Sequence, residues 1–382
     1  MQKGDDEMPG DDMTERRRAR LAAALETGAD RERVDAILVS NLINVRYLTG
    51  FTGSNGAVLV WSAEHSGRRE DAIATDGRYT AQVAEQAPVL PAEIARDCPP
   101  ALLRYAVGQQ AGVRLGIEAH TMTIAAFSDL RTVAAEAGVE LVPMRDTVER
   151  LREVKDASEV ESITSACAIA DDALAALIER DAIAPGRSER DVARDLEWEM
   201  FARGADAIAF ETIVAAGANS AVPHHRPTDA VLAVGDLVKI DFGAVSRGYH
   251  SDMTRTFVLG EPADWQREIY AVVSTAQQAG REALHAGASL AEIDAAARNV
   301  IVEAGYGDYY VHGLGHGVGL QIHERPGIGA AASGTLPVGA TVTVEPGIYL
   351  PGRGGVRIED TLVVTESHPR LLTTTDKAFR VL

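Results

Sequence analysis

Two acidic residues stand where an apolar strand and its partner should run. Asp241 interrupts VKIDF, residues 238–242, and Asp252 follows beyond the turn in HSDMTRTF. A second pair, Glu345 and Glu359, sits in TVTVEPGIYLPGRGGVRIED, residues 341–360. A carboxylate among buried apolar residues costs several kcal/mol unless a partner compensates it. In an antiparallel hairpin, paired positions have a constant sum. A turn centred between Ser246 and Arg247 sets Asp241 opposite Asp252, and one centred on Gly352 sets Glu345 opposite Glu359. Each pair then has Cβ atoms about 4.5–5.5 Å apart on one face. Like charges so placed require a shared proton or a cation. Four converging carboxylates match two divalent cations, which bring the site close to neutrality.

Histidines strengthen the metal reading. HGLGHGVGLQIH, residues 312–323, holds His312, His316 and His323, three of the ten in the chain. Glycines around His316 let backbone approach a ligand closely. PHHRP, residues 223–227, adds His224 and His225 in a loop. Oxygen-rich ligation with one imidazole suits Mn, Fe, Co or Zn. Other chemistries fail on spacing. His323-Glu324 begins an HExxH pattern, but position 327 is Gly. The glycine run never completes GxGxxG, because Val318 takes its last place. Neither GxSxG nor a P-loop lysine occurs.

The elements that must carry these residues repeat. Ser158 with Glu161 opens a helix running towards Asp181, and Ser188 with Asp191 opens another ending near Gly204; the Asp241–Asp252 hairpin follows. A helix from about Asp264, a second opened by Ser289 with Glu292, and the Glu345–Glu359 hairpin repeat the order. Ser188 to Asp241 spans 53 residues and Ser289 to Glu345 spans 56, by subtraction of their numbers. Two diverged helix–helix–hairpin units predict a pseudo-twofold α+β domain with its site between the halves. Upstream, DAILVS, GAVLV, DAIAT, RLGIEA and VELVPM alternate with helical patterns, as in an α/β domain. The charged stretch at 148–162 divides residues 14–147 from residues 148–382.

Composition narrows the classes. The 382 residues carry 37 Lys plus Arg against 56 Asp plus Glu, a net charge of −19 that argues against a nucleic-acid surface. No apolar run reaches membrane-spanning length, so no membrane partner is expected. Two cysteines, Cys98 and Cys167, fit a reducing compartment without a disulfide framework. Arg16, Arg17 and Arg18 precede too short an apolar run for a secretion signal, and a cytoplasmic protein is expected. The first dozen residues, MQKGDDEMPGDD, read as a mobile polar tail.

Together these motifs resemble the pita-bread metallopeptidases of the aminopeptidase P and prolidase branch. The resemblance rests on IDFG, HSDMTRTF, GLGHGVG, VEPG and RIED, with NLINVRYLTGF and DGRY resembling the creatinase-type domain that precedes the catalytic one. It implies an α/β creatinase-type domain followed by a pita-bread domain. The metal ligands it implies are Asp241, Asp252, His316, Glu345 and Glu359, holding two divalent ions, Mn first with Co, Zn or Fe as alternatives. His224 matches the substrate-contacting histidine and His323 a histidine flanking the metal-binding one, both implied to hydrogen-bond the tetrahedral oxyanion or the substrate backbone, and Glu345 matches the ligand that also accepts the proton of the attacking water. His312 and Arg357 match substrate-contacting positions, whereas His225 matches none and reads as structural.

The implied substrates are short proline-containing peptides cut between the first residue and proline, and the implied assembly is a homodimer. Inside the family, some prolidases carry Arg after the HGxGLxIHExP pattern, where this chain has Gly327, with Arg325 two residues early. That favours aminopeptidase P over prolidase. Methionine aminopeptidases are a more distant match, lacking the arginine and the large N-terminal domain. A non-catalytic pita-bread binding protein is the alternative of another class, and the five filled ligand positions argue against it.

Overall fold

The computed structural model describes residues 10–27 and 33–382, with side chains from Met13 onward. Of the expected polar tail, residues 1–9 lie outside the described residues. From Gly10 the backbone is helical, in the helix Gly10–Ala24. The chain divides after Leu151 rather than at 147. The helix Thr147–Arg152 explains the difference, since Glu149 bonds Asn44 at 2.6 Å and the Leu151 carbonyl accepts from Tyr47 at 3.4 Å.

The first unit is a six-stranded sheet in the order Ala92–Ile94, Ala72–Thr75, Gly56–Trp61, Ala36–Val39, Arg114–Glu118, Glu140–Met144. All five strands expected from sequence are present. The sixth, Ala92–Ile94, has three exposed residues and no apolar pattern to announce it. The last three strands run parallel, and helices such as Cys98–Gln109 cover a core built on Leu38, Leu59, Leu102 and Leu115.

The second unit holds the repeat. Helices Ala157–Glu179 and Glu189–Ala202 precede the first sheet; helices Asp264–Glu282 and Leu290–Glu303 precede the second. Ser188 and Ser289 sit at the N-cap positions of the shorter helices, and each forms an isolated antiparallel bridge to a later loop residue, Val231 and Thr335 respectively. The first helix starts two residues earlier than expected, because Asp156 and Glu159 form the capping box instead of Ser158 and Glu161. Each half packs its helices on its own sheet, with Leu174, Leu196 and Ile240 in one core and Ile269, Ile293 and Val342 in the other. In both halves a central strand, Leu237–Phe242 or Thr341–Val344, pairs antiparallel on both sides.

The two hairpins are not in the same register. In the second, Gly347 pairs with Arg357 and Val344 with Asp360, so Glu345 stands opposite Glu359 as expected. In the first, Asp241 pairs with Thr254 and Ser246 with Tyr249. The turn is therefore centred between Arg247 and Gly248, one residue later than expected, and both turn residues have positive φ, 51° and 79°. Two successive positive φ values define a two-residue turn that matches strand twist. Asp252 now falls level with Gly243, where a Cβ would lie 1.9 Å from the Ser251 carbonyl oxygen. No side chain fits there, so the first hairpin supplies its carboxylate from two residues back, at Asp241.

Gly243→Ala is expected to force the strands apart beside Asp252. A stability loss of at least about 1–3 kcal/mol in urea unfolding is the expected cost of such overpacking. Wild-type stability in that variant would contradict the close approach.

Candidate metal centre

The hairpins of the two halves meet edge to edge. Glu359 N donates to Thr254 O at 3.1 Å, Thr256 Oγ1 to Arg357 O at 2.9 Å, and Thr361 Oγ1 to Asp252 O at 2.8 Å. Beside this seam lies a cavity of about 270 Å³ lined by Asp241, Asp252, His316, Glu345 and Glu359, together with His224 and His323. All five residues expected as ligands thus face one space. Ligand atoms of Asp252, His316 and Glu359 lie within 4.8 Å of one another. His316 Nε2 is 3.5 Å from both Asp252 Oδ2 and Glu345 Oε1. His316 itself rides on the short strand Gly315–Gly317. Its flanking glycines are required by neighbouring backbone, since Cβ atoms there would meet Thr343 O and Arg325 O at 2.0 and 2.1 Å. The sequence reading had assigned that closeness to a ligand.

Two expected residues do not line the cavity. Arg357 is buried and fully engaged: Nε donates to Thr254 Oγ1 at 3.0 Å, Nη1 to Pro223 O at 3.2 Å and to Tyr349 OH at 2.9 Å, and Nη2 pairs with Asp241 Oδ2. His312 faces a neighbouring groove with Arg325 and Gly327. Its Nδ1 is 2.8 Å from Gly313 O and its Nε2 2.8 Å from Tyr349 OH. Arg357 donates to the tyrosine oxygen, which directs the phenol proton to His312 Nε2. The imidazole therefore carries its own proton on Nδ1.

Sequence reasoning missed Tyr349, Thr254, Lys239 and Glu189. Lys239 is buried, donating to Val222 O at 2.6 Å and Pro223 O at 3.1 Å under the loop that presents His224. Glu189 is also buried and pins the same loop, accepting from Thr228 N at 3.0 Å and meeting His225 Nε2 at 2.8 Å. That contact gives His225 a structural partner. Alternation was the available signal: Lys239 and Asp241, then Thr343, Glu345 and Tyr349, then Arg357 and Glu359, occupy alternate places in strands whose other positions are mostly apolar.

The charges on this face do not balance. Burial and then the neighbouring Glu359, Asp241 and Glu345 carboxylates push Asp252 well above the ordinary carboxylate range. Burial and the Glu345 and Asp241 charges do the same to Glu359, and burial pushes Glu345 up to about 8. Burial lowers His316 to about 4, so it is a neutral imidazole with a lone pair to offer. Asp241 Oδ1 is buried without a hydrogen-bond partner. The next residue after Glu359 provides the contrast. Asp360 points to the opposite face and meets Arg255 at 2.8 Å and Lys377 at 3.0 Å. Burial opposes its ionisation, but these two cations more than offset that, and it titrates below the ordinary range. Four crowded carboxylates with Arg357 as their one paired guanidinium, an orphaned oxygen and a neutral imidazole form a donor set that fits divalent metal.

Comparison with known proteins gives the class. The model of metallopeptidase family M24 matches residues 161–366, and that of the creatinase/prolidase N-terminal domain matches residues 17–154. This chain belongs to metallopeptidase family M24, and its two units are a creatinase-type α/β domain and a pita-bread α+β domain. The Xaa-Pro dipeptidase of Pyrococcus horikoshii is 36% identical over 349 residues, 91% of this chain and 95% of its own. The solved Xaa-Pro dipeptidase from Bacillus anthracis superposes with a TM-score of 0.88 at 37% identity, covering 97% of this chain and 100% of that one. An X-Pro aminopeptidase structure from Thermotoga maritima matches with a TM-score of 0.83 at 33% identity, covering 96% and 99%. Among the described residues no helix is long and apolar enough to cross a membrane.

The Glu345 shift sets a pH dependence for the metal-free protein. Its folded pKa of about 8 lies above the ordinary value of 4.5, so its contribution is full below about 4.5 and lost as pH rises to 8. Chelated wild type should therefore lose thermal stability relative to Glu345→Gln between pH 5 and 8. Parallel melting profiles for the two proteins would exclude a raised Glu345.

Proposed function

We propose that this chain is an Xaa-Pro dipeptidase, hydrolysing the bond between an N-terminal residue and a C-terminal proline. The observation that carries this is the convergence of Asp241, Asp252, His316, Glu345 and Glu359 on one cavity, in a chain whose full-length relatives include Xaa-Pro dipeptidases. The sequence reading ranked aminopeptidase P first because Gly327 stands where some prolidases have Arg. That order is reversed here. Gly327 lines the neighbouring groove and not the cavity, so its lack of a charge says nothing about the cavity's preference. A space of about 270 Å³ also lies just below the usual range of ligand sites, roughly 300 to 1,000 Å³, which suits a small substrate.

The five cavity residues would hold two divalent ions, with Mn²⁺ the first choice and Co²⁺, Zn²⁺ or Fe²⁺ alternatives. When bound, these supply Lewis-acid activation of water and of the scissile carbonyl. The chain's own residues do the rest. Glu345 accepts the proton of the attacking water and delivers it to the prolyl nitrogen, a tertiary amide nitrogen with no hydrogen of its own. His224 and His323 donate hydrogen bonds to the tetrahedral oxyanion; burial lowers His323, which favours the neutral ring that donates from one nitrogen. Arg357, expected to touch substrate, acts through Asp241, whose carboxylate it holds, and His312 acts through Tyr349. On the resemblance, we also propose a cytoplasmic homodimer.

Metal-stripped protein resupplied with Mn²⁺ should cleave an Xaa-Pro dipeptide and spare an Xaa-Pro-Xaa tripeptide, as read by released amino acid. Tripeptide cleavage with the dipeptide intact would restore the aminopeptidase P reading. Asp252→Asn should lose both turnover, by orders of magnitude, and bound metal in elemental analysis. Near-normal activity with full metal content would overturn the ligand assignment.

A further inference from the structure

A dipeptidase has to recognise the free carboxylate of the C-terminal proline, since this group alone separates a dipeptide from the start of a longer chain. The two arginines suggested by sequence are committed elsewhere. Arg357 spends every nitrogen on Thr254, Pro223, Tyr349 and Asp241, and is absent from the cavity wall. Arg325 lies on the neighbouring groove, paired with Glu153 at 2.5 Å. Lys239 is buried under the His224 loop.

Among the described residues that line the metal-centre cavity, one carries a guanidinium and none is lysine. That residue is Arg226. Its side chain is 82% exposed, and its Nε lies 3.1 Å from Glu211 Oε2, a carboxylate that is itself 61% exposed and lines the same cavity. An exposed pair of this kind is held weakly, so the guanidinium can exchange Glu211 for a substrate carboxylate at little cost. The backbone that carries it is firmly placed. His225 and Thr228 are both bonded to buried Glu189, and the Val222 and Pro223 carbonyls are bonded to Lys239. Arg226 thus follows His224 and His225 on an anchored loop, with a flexible side chain reaching the cavity wall.

We propose that Arg226 binds the proline carboxylate of the substrate and sets the preference for dipeptides, with Glu211 holding the guanidinium at the cavity wall until substrate arrives. The pairing is the planar, two-pronged one that guanidinium makes with carboxylate. This assignment rests on the Xaa-Pro dipeptidase reading.

The test compares an Xaa-Pro dipeptide with the corresponding Xaa-Pro amide, which keeps the scissile bond but lacks the carboxylate. Mn²⁺-loaded wild type and Arg226→Ala are assayed on both. The variant should raise KM for the dipeptide roughly 10- to 100-fold, the range for losing a charge-assisted hydrogen-bonded pair, and leave the amide unchanged. Arg226→Lys should recover part of the dipeptide's KM, and Glu211→Gln should lower it by freeing the guanidinium. Equal losses on dipeptide and amide, or no loss on either, would overturn the role of Arg226 while leaving the dipeptidase reading intact. Wild type that ignores the dipeptide but cleaves a tripeptide would overturn that reading and this proposal with it. The high exposure of Arg226 makes a folding defect an unneeded explanation, and an unchanged melting temperature checks it.

Discussion

The structure depends on a charge imbalance confined to one face of two joined hairpins. Asp241, Asp252, Glu345 and Glu359 approach each other with Arg357 as the one guanidinium bonded among them, while Asp360, one residue from Glu359, pairs with both Arg255 and Lys377. Alternation of side chains across the strand separates these two environments. On one face the acid is neutralised by protein and serves stability. On the other it is left short of positive charge, at a real cost to the folded state, and that shortage creates the affinity for cations. Buried ion pairs and metal sites are here two outcomes of the same adjacent Glu-Asp dipeptide.

The twofold relation between the halves is real in connection and broken in detail. Gly243 occupies the place that Glu345 occupies in the second half, because the first hairpin passes within contact of Ser251. Its carboxylate retreats to Asp241, which brings it within reach of Arg357 from the other half. Thr254, opposite Asp241 in its own hairpin, turns its hydroxyl to Glu359 at 2.7 Å. Each half therefore completes the other's acidic residue. The asymmetry is what ties the seam together.

Much of this was legible in the chain. The acidic residues of the cavity announced themselves because acids in apolar strands are costly and rare, and the repeat because Ser188 and Ser289 head matching helices. Pairing in the second hairpin could be read from Gly352 alone. In the first it could not: Arg247 and Gly248 form the turn, and the rule that both residues need positive φ names Gly248 but gives no reason to expect Arg beside it. Arg357 was recognised but its partner was not, since nothing local connects residue 357 to residue 241. Tyr349 and Lys239 drew no notice in the sequence, and only tertiary contact makes them polar partners. Long-range hydrogen bonds of this kind leave no periodic trace. The strand Ala92–Ile94 was missed for the opposite reason, being an edge segment without an apolar face.

The seam between the hairpins also fixes when the centre comes into being. Asp241 and Arg357 are separated by 116 positions, and Thr254 and Glu359 by 105. Contacts so distant along the chain form late, after local helices and hairpins have closed. A growing chain holds the first hairpin, with Asp241 and Asp252, long before Glu345 or Glu359 has been made. The centre therefore belongs to the finished molecule, and a chain still emerging from synthesis holds only its first two carboxylates.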